Sequence, residues 1–386
     1  MSTVSLETTK IERNYGIDLL KIVSMIMVLI LHILVQGGVL ERCKEGSANN
    51  HIGWFLEIGA YCAVNCFAIV SGYVYFKSKH KYANILYLNL QVTFLLLISI
   101  TIFKIRYPNL VTLTDFKKAS MPFAYYVLWY YRAYFCMFFF IPFMNILVDK
   151  LTRNQGRLLV YTIFILFSFI PTMFNGDTYL TSYGYSALWL AMMYLVGAYF
   201  SKFEVQKEFK WWVLVIIFIA STTFTFFWRK IPIGLDFFDS FLSYTSPTIL
   251  INGMCLVLLF SKFKFHKPSK MAIKFFVPLA FSVYIIHVSP YFWQKFMLDR
   301  FTYLAKLNPF IFPFAVIGTA ILLFICFALI DYVRYLLFKI CKVKEFFIFL
   351  EKKIRQLCSK IFKEESIDEE TIEEVEVKDT EQEENA

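Results

Sequence analysis

An all-α, polytopic integral membrane protein with about ten transmembrane helices is the fold class this sequence predicts. Three observations predict it. Residues of the apolar set fill 58% of the 386 positions, and 45 residues are phenylalanine. Mean hydropathy is +0.57, more apolar surface than a soluble domain of this length can use. The apolar residues also fall in long blocks separated by short basic loops, which is the spacing of membrane spans.

Taken in order, residues 1–12 are polar and predict a loose cytoplasmic segment. Apolar blocks follow at about 17–36, 53–76, 83–103, 123–148, 158–174, 183–201, 211–228, 240–261, 272–294 and 309–338, giving a membrane domain over 13–340. The first block is too long for a cleavable signal peptide and carries Asp18 and Lys21. The blocks at 123–148 and 309–338 exceed one crossing, so tilt or helical extension is expected there. Residues 341–363 are basic and amphipathic and predict an interfacial helix on the inner leaflet. Residues 364–386 hold twelve acids and one lysine and predict a disordered tail.

The net charge of +10 therefore conceals a division: without that tail the chain holds 38 basic and 17 acidic residues, or +21. Basic residues beside membrane spans point to orientation and anionic lipid, and away from nucleic acid. An even number of spans puts both termini on one side. With that side cytoplasmic, the inner loops and tails carry more than twice as many Lys and Arg as the outer loops. The loop Lys104–Lys118 runs against this bias and suggests a re-entrant or substrate-facing element. Eight cysteines show no pairing pattern, and no His or Cys set completes a metal site; neither disulfides nor a metal is expected.

The first block holds the strongest candidate site. From Lys21 to His32 there are eleven steps, which at about 100° each return to within about 20° of one direction. At 1.5 Å per residue the two lie about 16 Å apart in depth. Ionisable groups within a span are costly and face a cavity or a partner. A buried imidazole can act as general base or carry an acyl group, and Lys21 can hold a phosphate as a point charge. The gap matches the reach of a phosphopantetheine arm. On spacing alone, a snorkelling Lys21 and a hydrogen-bonded structural His32 stand at even odds with this reading.

Further candidates lie downstream. Ser71-Gly72-Tyr73 ends the second block: Gly72 permits close backbone approach and the Ser71 hydroxyl can face a donor group, although a small pair serving helix packing is the simpler explanation. Glu57 lies at about the depth of His32 and either polarises it or is solvated at the interface. Arg132, within Trp129-Tyr130-Tyr131-Arg132, must pair with an acid or line a cavity, while Trp129 fits an interfacial aromatic belt. Tyr284 and His287 share a helix face, with His287 near the depth of His32, which suggests a shared cavity.

Together these stretches resemble the acyltransferase family 3 of integral membrane proteins. Lys21, ten residues and then His32 is similar to that family's first-helix signature. Phe67-Ala-Ile-Val-Ser71-Gly72-Tyr73 is similar to its Ser-Gly-aromatic motif, and Ser282-Val-Tyr284-Ile-Ile-His287 to its late Tyr-x-x-His motif. Leu128 to Asn145, with Asp331-Tyr-Val-Arg334, most resembles capsular or surface polysaccharide O-acetyltransferases of Gram-positive bacteria. Lys81-Tyr-Ala-Asn84 departs from the Arg-x-x-Arg often found after the second helix, and Asn65 stands where many members have Asp or Pro.

The resemblance implies transfer of an acyl group, acetyl above all, from cytoplasmic acetyl-CoA to a hydroxyl of a cell-envelope polysaccharide, such as capsule, or of its lipid-linked precursor, in the plasma membrane. His32 would be catalytic. Lys21, Ser71 and Gly72 would bind the acyl-CoA donor, and Arg132, Tyr284 and His287 the glycan. Membrane lipids would be the other partners. The rival reading is a non-enzymatic transporter or exporter of glycans or small acids, which would not require the Lys21-to-His32 arrangement.

Overall fold

The computed structural model describes residues 13–125, 128–230 and 241–361, with side chains to residue 358. The expected segment 1–12 and acidic tail 364–386 lie outside the described residues. All regular structure among the described residues is helical. The main helices are α1 (Tyr15–Leu31), α2 (Ala48–Ala60), α3 (Ala63–Tyr75), α4 (Tyr82–Arg106), α5 (Leu113–Ser120), α6 (Trp129–Phe138), α7 (Ile141–Lys150) and α8 (Arg153–Phe164). They continue with α9 (Ala187–Phe203), α10 (Trp211–Trp228), α11 (Pro247–Phe260), α12 (Lys267–Phe276), α13 (Ala280–Val288), α14 (Phe312–Ile340) and α15 (Val343–Ile361).

Each predicted apolar block becomes helix, but length and composition license fewer than ten crossings. Seven helical stretches among the described residues are long and apolar enough to span a membrane, and the bent pair α6–α7 makes an eighth if it is one span. That pair meets at 59°. Pro142, in the first turn of α7, has no N–H to continue the ladder from α6. The remaining two blocks form the shorter apolar helices α9 and α11, of 17 and 14 residues.

Helix α1 is the axis of the molecule. The stretch Tyr15–Gln36 has 72% of its most apolar window buried, against 17% for Trp211–Trp228 at the periphery. Helices α3, α13, α11 and α14 pack around it, and outward-facing residues such as Ile216, Phe227, Leu322 and Ile330 form the apolar exterior. The most extensive helix packing joins α3 to α9. A Cβ on Gly72 would lie 1.9 Å from the Tyr194 carbonyl oxygen, and one on Gly197 would lie 1.9 Å from that of Ile69. Only glycine at both positions lets the backbones meet.

A buried ion pair fastens α14 on the face it turns inward. Arg334 Nε donates to Asp331 Oδ1 at 2.7 Å and Nη2 to Oδ2 at 2.5 Å, the bidentate geometry that guanidinium and carboxylate favour. The Arg334 Nη1 group reaches the Tyr87 hydroxyl of α4 at 3.3 Å. Nearby, Gln91 of α4 donates to Ser282 of α13 at 2.6 Å. Removing one partner strands the other charge in an apolar interior. We therefore expect Asp331→Leu to cost about 3–5 kcal/mol, with Asp331→Leu/Arg334→Leu recovering most of it. Thermal unfolding in detergent reads this directly, and a double variant as unstable as the single one would contradict it.

Candidate active site

Residue Asn14 starts the site by fixing the entry of α1. Its side chain accepts from Gly16 N–H at 2.9 Å and Ile17 N–H at 3.1 Å, and donates to the Ser261 carbonyl at 2.9 Å. Asp18 follows in the first turn, where a carboxylate is favoured by the helix dipole. It is buried, and it pairs with Arg13 and, at 3.0 Å, with Lys21 Nζ. One acid thus holds two cations, and the cluster keeps a net positive charge.

Lys21 lines a cavity of about 450 Å³, within the range of small-molecule sites. Ser71, Asn84, Tyr87 and Lys344 contribute polar atoms to its wall, among apolar residues that include Phe67, Tyr130 and Phe281. A second cavity of about 230 Å³ is lined by His32, Gln36, Tyr284, Trp293 and a ring of aromatics from other helices. Phe67, Tyr130 and Phe281 line both cavities. The two are therefore adjoining chambers with an aromatic neck between them, where the Phe67 and Tyr130 rings lie 6.1 Å apart.

In the second chamber His32 Nδ1 lies 2.9 Å from His287 Nε2. His287 Nδ1 lies 2.5 Å from the Val283 carbonyl oxygen, one helical turn back. A carbonyl only accepts, so His287 carries its proton on Nδ1. The neutral ring then offers Nε2 as acceptor, and His32 must donate from its own Nδ1. His32 Nε2 keeps its lone pair. The geometry of two residues thus selects the tautomer that can take a proton or attack a carbonyl.

Local backbone irregularity aims these rings. At His32 the α-helix gives way to a π-helical turn, His32–Gln36, closed by Gly37 N–H to the His32 carbonyl at 2.7 Å. A second π-turn, Trp293–Met297, packs against it. Such turns displace side chains from the regular helical register and recur at functional sites. Trp293 meets His32 edge-on, with centroids 4.9 Å apart. Gly38, at φ +79°, makes the turn beyond, and Asp299 N–H and Phe301 N–H donate to Gln36 and Gly37 carbonyls at 3.0 Å.

The structure distributes the candidate residues unevenly. Lys21 and Ser71 line the first chamber, though the Ser71 hydroxyl also donates to the Phe67 carbonyl at 2.9 Å. His32 and Tyr284 line the second, with His287 directly behind His32. Gly72 instead turns into the α9 backbone, so its place is in helix packing and not at the donor. Arg132 lies on α6 outside the lining of both chambers. Glu57 is buried and so not solvated; the ring contacts and hydrogen bond of His32 run to His287 and Trp293 instead. Trp129, expected in the interfacial belt, lines the second chamber, stacks with Tyr244 and meets Tyr185 at a tilt.

Lys104, from the loop that opposed the charge bias, donates to the Pro108 and Val111 carbonyls at 2.7 and 2.8 Å. Asp115 of the same segment accepts from the Tyr291 hydroxyl at 2.7 Å. The loop is thus tied down close to the second π-turn.

Residues 14–331 match the family model described as an acyltransferase domain, the acyltransferase 3 model. This chain belongs to that family. It is a multi-pass membrane acyltransferase, and the transporter reading falls away. No curated protein and no solved structure matches the chain. The match ends before α15, so this helix and its Lys344 stand outside the region the family model covers.

Sequence patterns gave no sign of Asn84, Tyr185, Tyr244, Trp293 or Lys344 as lining residues of this acyltransferase. Tyr185, Tyr244 and Trp293 are ordinary members of apolar or aromatic runs, and Asn84 stands out only as the end of Lys81-Tyr-Ala-Asn84; nothing local marks the chamber they reach. Lys344 sat in a helix whose charge was already explained by lipid. The hydrogen-bond pattern makes a spectroscopic prediction. In ¹⁵N NMR of histidine-labelled protein, the His32 ring should show a protonated Nδ1 and a bare Nε2. His287→Phe should destroy that preference, and His287→Asn, which can still accept from His32, should retain it. A protonated His32 Nε2 in the unaltered protein would refute the assignment.

Proposed function

We propose that the protein O-acetylates a cell-surface polysaccharide, or its lipid-linked precursor, using cytoplasmic acetyl-CoA. The observation that carries this reading is the pair of adjoining chambers, one holding Lys21 and the other His32. On this reading the Lys21 chamber opens to the cytoplasm and receives the donor. Lys21 holds a phosphate, Ser71 and Asn84 line the path of the pantetheine arm, and the thioester reaches the neck. The orientation follows the excess of basic residues in the loops on the side of the N-terminus, and the membrane is the plasma membrane.

The glycan occupies the His32 chamber. Trp129, Tyr185, Tyr244 and Trp293 offer flat apolar faces with polar edges, which suits a sugar ring. The acceptor hydroxyl gives its proton to His32 Nε2 as its oxygen attacks the thioester carbonyl. The carbon–oxygen bond forms, the carbon–sulfur bond breaks, and the proton passes to the departing thiolate to give the free thiol of CoA. His287, held by Val283, keeps His32 in the required tautomer and shares the positive charge that develops. Tyr284 borders the same space and helps to orient the acceptor.

The test is the acetyl-ester content of the surface glycan, read by NMR in cells with matched membrane levels of each variant. His32→Ala should abolish the ester signals, and Lys21→Ala should reduce them by about tenfold or more, the loss expected for one charge-assisted contact. Full ester content in the His32→Ala strain would end the proposal. Acetyl found covalently on His32, after incubation with acetyl-CoA alone, would make it nucleophile instead of base.

A further inference from the structure

We propose that α15, which lies beyond the region matched by the family model, is part of the acyl-donor site and supplies Lys344 as a second cation for the donor's phosphates. The proposal rests on the reading of the Lys21 chamber as the donor site. Three observations support it.

The first is position. Lys344 lies in the first turn of α15 and lines the same chamber as Lys21. It is exposed, so it sits on the rim where a soluble donor would enter.

The second is charge. Lys21 is already paired with Asp18, which also holds Arg13, so that cluster offers one net positive charge. The phosphates of an acyl-CoA carry several negative charges. One half-neutralised lysine is a weak match for them, and a second ammonium in the lining of the same chamber corrects the balance.

The third is anchorage. A charged helix resting only on lipid would not hold a side chain at a chamber rim, but α15 is fastened to protein. It packs along α4 and α14. Glu351 accepts from the Ala83 N–H at 2.9 Å, capping the start of α4, where no local side chain caps the helix. Arg355 donates to Glu351 at 2.8 Å and lies over the Tyr82 ring. Burial raises the Glu351 carboxyl pKa, but the bonds from Ala83 and Arg355 outweigh it and hold the group below the usual carboxylate range. The cap is therefore a charged one. Phe346, Phe349 and Leu357 remain exposed for the lipid surface, so α15 joins membrane surface and donor chamber.

The test uses full-length protein in phosphatidylcholine nanodiscs, with acetyl-CoA and S-acetylpantetheine, which lacks the nucleotide phosphates, as alternative donors. Lys344→Ala should raise the Kd for acetyl-CoA about tenfold and leave that for S-acetylpantetheine unchanged. Lys344→Arg should stay within about threefold of the unaltered protein, a loss of well under 1 kcal/mol. Glu351→Gln should weaken acetyl-CoA binding in the same selective way, because it loosens the helix that carries Lys344. If Lys21→Ala loses acetyl-CoA while Lys344→Ala binds it normally, the donor reading stands and this proposal is overturned. An effect of Lys344→Ala seen only in nanodiscs containing anionic lipid would assign the lysine to headgroups and overturn it as well. Failure of the unaltered protein to bind acetyl-CoA would overturn the donor reading itself.

Discussion

The 2.9 Å contact between His32 and His287 is the interaction on which the rest of the arrangement depends. An imidazole on the central helix of an apolar bundle needs a partner for its N–H, since an unsatisfied donor away from water costs several kcal/mol. A carboxylate partner would meet that need, but it would add a charge in the interior. A second neutral imidazole meets it without charge, provided its own proton is directed elsewhere. The Val283 carbonyl does so from within the same helix. Two histidines and one carbonyl therefore make a closed chain with a single free lone pair, and it belongs to the ring that lines the chamber.

Keeping that chain aligned explains much of the surrounding backbone. His32 begins one π-turn and Trp293 begins another, and the two turns are in contact. A regular α-helix through either segment would carry the following side chains round to other faces. The backbone bonds from Asp299 and Phe301 to Gln36 and Gly37 tie the far ends of the two segments together. Behind α1, the α3–α9 crossing is brought to backbone contact by Gly72 and Gly197. The same helix α3 presents Phe67 to the neck and Ser71 to the Lys21 chamber.

How much of this was legible in the sequence follows from the range of each interaction. The placing of Lys21 and His32 on one face needs only the period of one helix, and α1 keeps that period as far as Leu31. Helical character of the apolar blocks was legible for the same reason. The number of crossings is less legible: seven or eight helical stretches among the described residues qualify by length and composition, while α9 and α11 are shorter apolar helices and α6–α7 bends at Pro142. Which neighbour a side chain meets is a tertiary matter, and there local pattern ran out. Gly72 was offered to the donor and meets a backbone; Trp129 was offered to the lipid interface and lines a chamber. Arg132 was offered to the substrate and stands outside both chambers. The α15 helix shows the limit most clearly. Its amphipathic pattern fits a membrane surface, and only the folded structure, with Glu351 bound to Ala83 and the helix packed along α4 and α14, reveals a second attachment.

The aromatic neck gives the two-chamber arrangement its chemical sense on the proposed reading. A thioester is open to hydrolysis wherever water reaches it alongside a base. Phe67, Tyr130 and Phe281 stand where the chambers adjoin, so the donor's carbonyl would approach His32 through apolar rings. The cationic end of the path, with Lys21 and Arg13 around Asp18, is kept away from the imidazole by about three helical turns. On the proposed reading, that separation would keep a donor's phosphate charge from biasing the histidine pair toward protonation. It also makes donor length the quantity that positions the thioester: a group anchored at Lys21 must extend along α1 before its carbonyl can meet the Nε2 lone pair.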